Sequence, residues 1–279
     1  MLNDITIGQY FPANSVIHKM DPRAKIIMTI LYIVFVFMAS NALSMALMVL
    51  ALMALVVISK VPVKIYLKSL KAILPVIIFT SVINVFYVER GRVLFSFWIM
   101  KITEGGIIQS LYITVRIMLL VIASSLLTYT TTPTSLTDAI ESLLSPLRFI
   151  GLGNAVHTMA MMMTIALRFI PNLIEETDKI MNAQKARGAD MESGGPIKRL
   201  KAFLPILVPL LISSFRRAYE LAEAMESRCY NGGKGRSRMN KLKFEGHDFL
   251  MLALTLLICG GVITLNIFYK SIFGNLWVL

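Results

Sequence analysis

The chain has 279 residues, 56% hydrophobic and only 16% charged, with a mean hydropathy of +0.71. That balance excludes an ordinary soluble domain and defines an integral membrane protein, and the fold class it implies is all-α. A net charge of +12 would fit a nucleic-acid partner on a soluble chain, but on an apolar one basic residues mark cytoplasmic loops, so no nucleic acid is expected.

Residues 1–25 form a polar leader that begins with an acidic, uncleaved-looking terminus. Asp21-Pro22 reads as a helix start, with Asp as N-cap and Pro at the first helical position. Residues 26–58 are almost wholly apolar, too long for one span of about 20 residues. Ser40-Asn41 breaks them into two short helices, 26–39 and 42–59. Residues 60–71 carry Lys60, Lys64, Lys68 and Lys71 at three- and four-residue spacing, which predicts a basic helix lying in the membrane interface. Residues 72–88 are the third span, 89–92 a turn, and 93–102 a short hairpin or an interfacial segment. The fourth span, 106–129, contains Arg116. A cation there costs about 2.5–3.5 kcal/mol at a helix centre unless it snorkels or pairs, so it is either half of an internal pair or a functional residue.

Residues 131–247 differ in character. A turn and a short amphipathic helix lead into a long helix over 154–185, bent at Pro171. After Gly194-Gly195-Pro196 a second long helix covers 197–230, bent at Pro205 and Pro209. Residues 249–268 make the last span. About five spans result, and the chain divides into a leader (1–25), spans one to four (26–130), a cytoplasmic-side helical region (131–247) and a last span with the C-terminus (248–279). With the N-terminus inside, 23 of the 28 Lys and Arg residues fall on the cytoplasmic side and four outside, as the positive-inside rule requires.

The two long helices end alike. One closes on Ala186-Arg187-Gly188 and the other on Ser227-Arg228-Cys229, forty-one positions later. A cation at a helix C-terminus complements the dipole by about 0.3–1 kcal/mol, which accounts for one such arginine. Two copies in a membrane protein read as two plugs for two sockets. Enzymatic chemistry finds no support: there is no phosphate loop, no nucleophile-base constellation and no metal-ligand spacing among His18, His157, His247, Cys229 and Cys259. Glu175, Glu176 and Asp178 share a helix with Lys179 and Lys185 and read as solvated intrahelical pairs. Met159, Met161, Met162 and Met163 read as packing filler or as an adaptable partner surface.

Four motifs together, His18-Lys19-Met20-Asp21-Pro22-Arg23-Ala24-Lys25, Thr132-Pro133-Thr134-Ser135-Leu136-Thr137-Asp138-Ala139-Ile140-Glu141, Ile165-Ala166-Leu167-Arg168-Phe169-Ile170-Pro171 and Ala183-Gln184-Lys185-Ala186-Arg187-Gly188-Ala189, resemble the transmembrane T component (EcfT) of energy-coupling factor transporters, ABC-type importers of vitamins and trace nutrients. The resemblance runs from about Tyr10 to Tyr230. It implies a multi-pass protein of a prokaryotic plasma membrane, in contact with lipid, that couples ATP hydrolysis to transport. It further implies that Ala186, Arg187 and Gly188, and Ser227, Arg228 and Cys229, dock on two ABC ATPase subunits. The apolar helix faces, through Met159, Met163, Leu204, Leu207 and Leu211, would hold a substrate-binding S component. No cofactor or metal is expected on this chain, with ATP and Mg on the ATPases, and no enzymatic activity of its own. One departure stands out: the second tripeptide of the family is Ala-Arg-Gly, and Cys229 replaces the glycine, which is less suited to a left-handed cap. The rival reading is a self-sufficient permease that binds substrate between its own spans.

Overall fold

Asp21 starts the first long helix by accepting a hydrogen bond from the Arg23 backbone N–H at 2.8 Å, with Pro22 at the first helical position. The structure, a computed structural model, describes residues 10–88, 93–97, 100–189, 195–232 and 243–273. In chain order these form α1 (Val16–Lys19), α2 (Pro22–Met38), α3 (Ala42–Ser59), α4 (Val63–Tyr87), strands β1 (Val93–Phe97) and β2 (Met100–Thr103), α5 (Glu104–Thr130) and α6 (Pro133–Leu143). A 3-10 turn (Ser145–Ile150) then precedes α7 (Gly153–Ala186), α8 (Pro196–Glu226) and α9 (Gly246–Phe273). Among the described residues the architecture is all-α apart from the antiparallel pairing of 93–97 with 100–103, which is the hairpin, one of the two expectations for this stretch. The expected turn at 89–92 lies outside the described residues.

Among the described residues four helices, α3, α4, α5 and α9, are long and apolar enough to cross a membrane. At 17 residues, α2 reaches about 26 Å, the lower end of the spanning range of roughly 17–25 residues. The basic stretch 60–71 is not a separate interfacial helix. Lys60 caps α3, and residues 63–71 are the first part of α4, which starts after Pro62 and runs through Pro75 without a break. No glycine interrupts it, and a single proline removes only one ladder bond while its neighbours keep theirs. Lys64, Lys68 and Lys71 project outward from this extension.

The chain divides into two compact units. Among the described residues, one takes in 10–139 and 243–273, the other 140–189 and 195–232. In the first unit, α2, α3, α5 and α9 enclose Tyr32, Val36, Met48, Leu52, Leu119, Ala123 and Val262. The Tyr32 hydroxyl donates to the Met48 carbonyl at 3.0 Å, so its polar end is satisfied inside the core. A smaller cluster joins Val61, Tyr66, Leu126 and Tyr129. Helices α4 and α5 pack closely at Gly106, where an added Cβ would lie 2.9 Å from the Val85 carbonyl oxygen and 3.1 Å from that of Val88.

Polar residues tie the ends of these helices together. The Ser40-Asn41 break is real: the Asn41 side chain donates to Asn266 Oδ1 at 3.3 Å, and Asn266 donates to the Met38 carbonyl at 2.8 Å. Arg116 of α5 donates to the Ala39 carbonyl at 2.9 Å and lies 6.0 Å from the Phe37 ring centre. It thereby neutralises the negative end of α2, a contact of the kind that the first of its two readings expects. At the leader, buried Lys25 donates to the Thr130 carbonyl at 2.9 Å, and the Asp21 N–H donates to buried Asp248 at 3.0 Å. The motif from His18 to Lys25 is therefore a knot that holds the leader on α5 and α9.

Candidate functional site: two arginine-tipped helices

The second unit is built on α7 and α8, of 34 and 31 residues, about 51 and 46 Å long at 1.5 Å per residue. Both continue through internal prolines, Pro171 in α7 and Pro205 and Pro209 in α8. They run in opposite directions. Gln184 near the end of α7 donates to the Pro205 carbonyl early in α8 at 3.4 Å. Met161 and Ile165, early in α7, line a cleft together with Met225 and Tyr230 at the end of α8. Arg187 and Arg228 thus lie toward opposite ends of the pair.

Each helix ends in the same hydrogen-bond pattern. In α7 the Ala189 N–H donates to the Gln184 carbonyl at 3.0 Å and the Gly188 N–H to the Lys185 carbonyl at 3.0 Å. In α8 the Tyr230 N–H donates to the Met225 carbonyl at 3.0 Å and the Cys229 N–H to the Glu226 carbonyl at 2.8 Å. Both are Schellman motifs, with the residue after the arginine left-handed: φ is +84° at Gly188 and +54° at Cys229. The loss of glycine in the second tripeptide has therefore not moved the helix end. Cys229 takes the glycine conformation and bears its steric cost, of order 1–2 kcal/mol.

The motif puts Arg187 and Arg228 at matched C-cap positions. Ala186, Arg187, Gly188, Ser227, Arg228 and Cys229 are all exposed. Among the described residues nothing lies within 4 Å of the position a Gly188 Cβ would take, which leaves room there for an approaching surface. Met159, Met163, Leu204, Leu207 and Leu211 are each 51–67% exposed. Those on α8 extend into a longer apolar stripe, with Val208, Ile212, Phe215 and Tyr219 also exposed, at the three- and four-residue spacing of one helix face. Met162 belongs with Met159 and Met163 on the exposed surface of α7. Such exposed apolar area marks a contact with protein or lipid.

One pairing was missed in the sequence. Glu176 does not join an intrahelical pair: its carboxylate accepts from Arg217 and from the Ser213 hydroxyl, both on α8. The signal was present, since Glu176 and Arg217 are forty-one residues apart, the same offset as the two arginine tips. Among the described residues no group of three His, Cys, Asp or Glu side chains stands close enough to hold a metal ion.

Apolar spans in one unit and an amphipathic, arginine-tipped helix pair in the other define a polytopic α-helical membrane protein. Comparison with known proteins then gives its family. Residues 13–240 match the CbiQ family, described as cobalt transport protein. The energy-coupling factor transporter transmembrane protein EcfT of Ruminiclostridium cellulolyticum is 50% identical over 266 residues, 95% of this chain and 98% of its own. EcfT of Acidaminococcus fermentans is 49% identical over 92% and 97% of the two chains, and that of Bacillus subtilis 44% over 89% and 93%. This chain belongs to the EcfT family, the transmembrane components of energy-coupling factor transporters.

Proposed function

We propose that this chain couples ATP hydrolysis on two ABC ATPase subunits to the movement of a membrane-embedded, substrate-binding S component. The observation that carries the reading is the matched pair of exposed arginines at two identical helix ends. A guanidinium keeps its charge at any physiological pH and forms forked bonds to carboxylates. A C-cap position presents it at the tip of a rigid rod, and the flanking Ala186, Gly188 and Ser227 leave room for a groove to close around it. Leaving such a buried partner unpaired costs about 2–5 kcal/mol, enough to decide whether the subunits stay together. The exposed apolar faces with Met159 and Met163 on α7 and Leu204, Leu207 and Leu211 on α8 are the surface for the S component. Methionine's flexible thioether would let that surface receive more than one partner.

In this reading ATP closes the two ATPases, their grooves carry Arg187 and Arg228 with them, and the helix pair changes its opening. The S component riding on its apolar faces is reoriented or released. The basic segments then face the cytoplasm, with the N-terminus inside a prokaryotic plasma membrane. A self-sufficient permease would instead need a chamber among its spans of roughly 300–1,000 Å³ for a small molecule. The cavity described among the spans, lined by Tyr32, Met48 and Cys259, holds about 70 Å³, well short of that.

The test is to express the chain with its candidate ATPases, as wild type and as Arg187→Glu/Arg228→Glu, and to measure co-purification and ATP-dependent uptake. Loss of both, with the variant still inserted in membranes, is expected. Intact assembly and uptake would reduce the arginines to helix caps and overturn the reading.

A further inference from the structure

The contact between α7 and α8 is organised around Glu176. One carboxylate oxygen accepts from Ser213 and the other from Arg217 Nη2, so the group is fixed from two directions and retains 20% exposure against 34% for Arg217. On one side of it lies an open cleft of about 820 Å³, lined among others by Asn172, Lys179 and Leu221. At this level the helices are joined by a polar contact next to open space; nearer the α7 tip Gln184 also donates to the Pro205 carbonyl, at a longer 3.4 Å. The placement is symmetric as well. Arg187 follows Glu176 by eleven residues, and Arg228 follows Arg217 by eleven. Each arginine is thus carried on an arm of about 16 Å, and the two partners of the ion pair hold equivalent positions in the repeat.

We infer that Glu176, Arg217 and Ser213 form the pivot of the helix pair, positioning residues that keep α7 and α8 joined at their level while the longer Gln184–Pro205 contact gives way and the arginine-bearing ends move. The inference rests on the coupling reading for its purpose, but not for its geometry. Equal arms turn equal displacements of the two tips into rotation about the ion pair. Without a fixed pivot the same displacements would slide one helix along the other, and ATP would be hydrolysed without moving the apolar faces in step.

The experiment compares wild type with Glu176→Gln, Arg217→Gln and the exchanged pair Glu176→Arg/Arg217→Glu. Spin labels are placed through Ala186→Cys and Ser227→Cys in a Cys229→Ser/Cys259→Ala background, on the chain alone in lipid nanodiscs, and the distance distribution between the tips is measured. A single narrow distribution is expected for wild type, at least twofold wider in each Gln variant and narrow again in the exchanged pair. In the assembled transporter, substrate taken up per ATP hydrolysed is expected to fall at least fivefold in the Gln variants, with ATPase co-purification retained, and to return to within twofold of wild type on exchange. Unchanged widths, an unchanged uptake-to-ATP ratio, or failure of the exchange to restore either would overturn the pivot. Because the distance measurement uses no partner, it separates the two readings. Widths that change as expected, beside intact assembly of Arg187→Glu/Arg228→Glu, would overturn the docking reading and leave the pivot geometry standing.

Discussion

Arg187 and Arg228 occupy the same place in two copies of one helix ending: each is the C-cap, followed by a left-handed residue whose N–H closes back on the last turn. The two copies differ where they should tolerate difference least. Gly188 adopts φ +84° without penalty, whereas Cys229 holds +54° with a Cβ.

That difference makes the second ending the weaker one. Cys229→Gly is expected to stabilise the end of α8 by about 1 kcal/mol, and Gly188→Ala to destabilise the end of α7 by a similar amount. Amide exchange of residues 225–230 and 184–189 reads both: about fivefold slower in the first variant and about fivefold faster in the second. If neither end responds, the Schellman geometry is not what sets their order.

Gly106 is required by the approach of α4 to α5. A methyl group would sit 2.9 Å from the Val85 carbonyl oxygen, with backbone and not a flexible side chain in the way. Gly106→Ala is expected to cost about 1–3 kcal/mol, read as a lower unfolding temperature in detergent. Gly260→Ala, whose added Cβ meets nothing within 4 Å among the described residues, serves as the control and should be near neutral.

Arg116 earns its place in a span by covering the Ala39 carbonyl at the end of α2. Arg116→Met keeps much of the side-chain length and loses the bond, at an expected cost of about 1–2 kcal/mol. The same variant, once folded, should transport normally. A folded variant with lost uptake would instead make Arg116 a functional residue.

The leader should loosen on acidification. Burial holds the His18 pKa below its ordinary value of 6.5, against an opposing contribution from the Phe11 carbonyl, which accepts from Nε2 at 2.9 Å. A folded pKa below the unfolded one means that the unfolded state binds more protons, so stability rises with pH. The contribution is fully present above about pH 6.5 and declines as pH falls through that value toward the lower folded pKa. Amide protection of residues 15–19, corrected for intrinsic exchange, should drop between about pH 7 and 5, and His18→Gln should flatten the profile.

Much of this was legible in the sequence because the signals are local. Proline after aspartate, the polar pair at Ser40-Asn41 and the glycine after Arg187 each act on their own backbone, and the helix boundaries followed from them. The basic stretch 60–71 was misread because lysine spacing reports an amphipathic face but not whether the helix continues, and here nothing stops it before Val88. The role of Arg116 stayed open because its partner is a backbone carbonyl 77 positions away, and carbonyls carry no sequence signature. Glu176 was assigned to its own helix for a related reason: an i,i+4 neighbour is visible in one dimension, while a partner on the antiparallel helix is visible only through the forty-one-residue repeat.

The most direct test of the account is the subunit count of the complex. Native mass spectrometry of the chain co-expressed with its candidate ATPases should find two ATPase subunits on the wild type and none on Arg187→Glu/Arg228→Glu. Two ATPase subunits retained on the double variant would contradict the claim that these helix tips are the joints through which ATP drives transport.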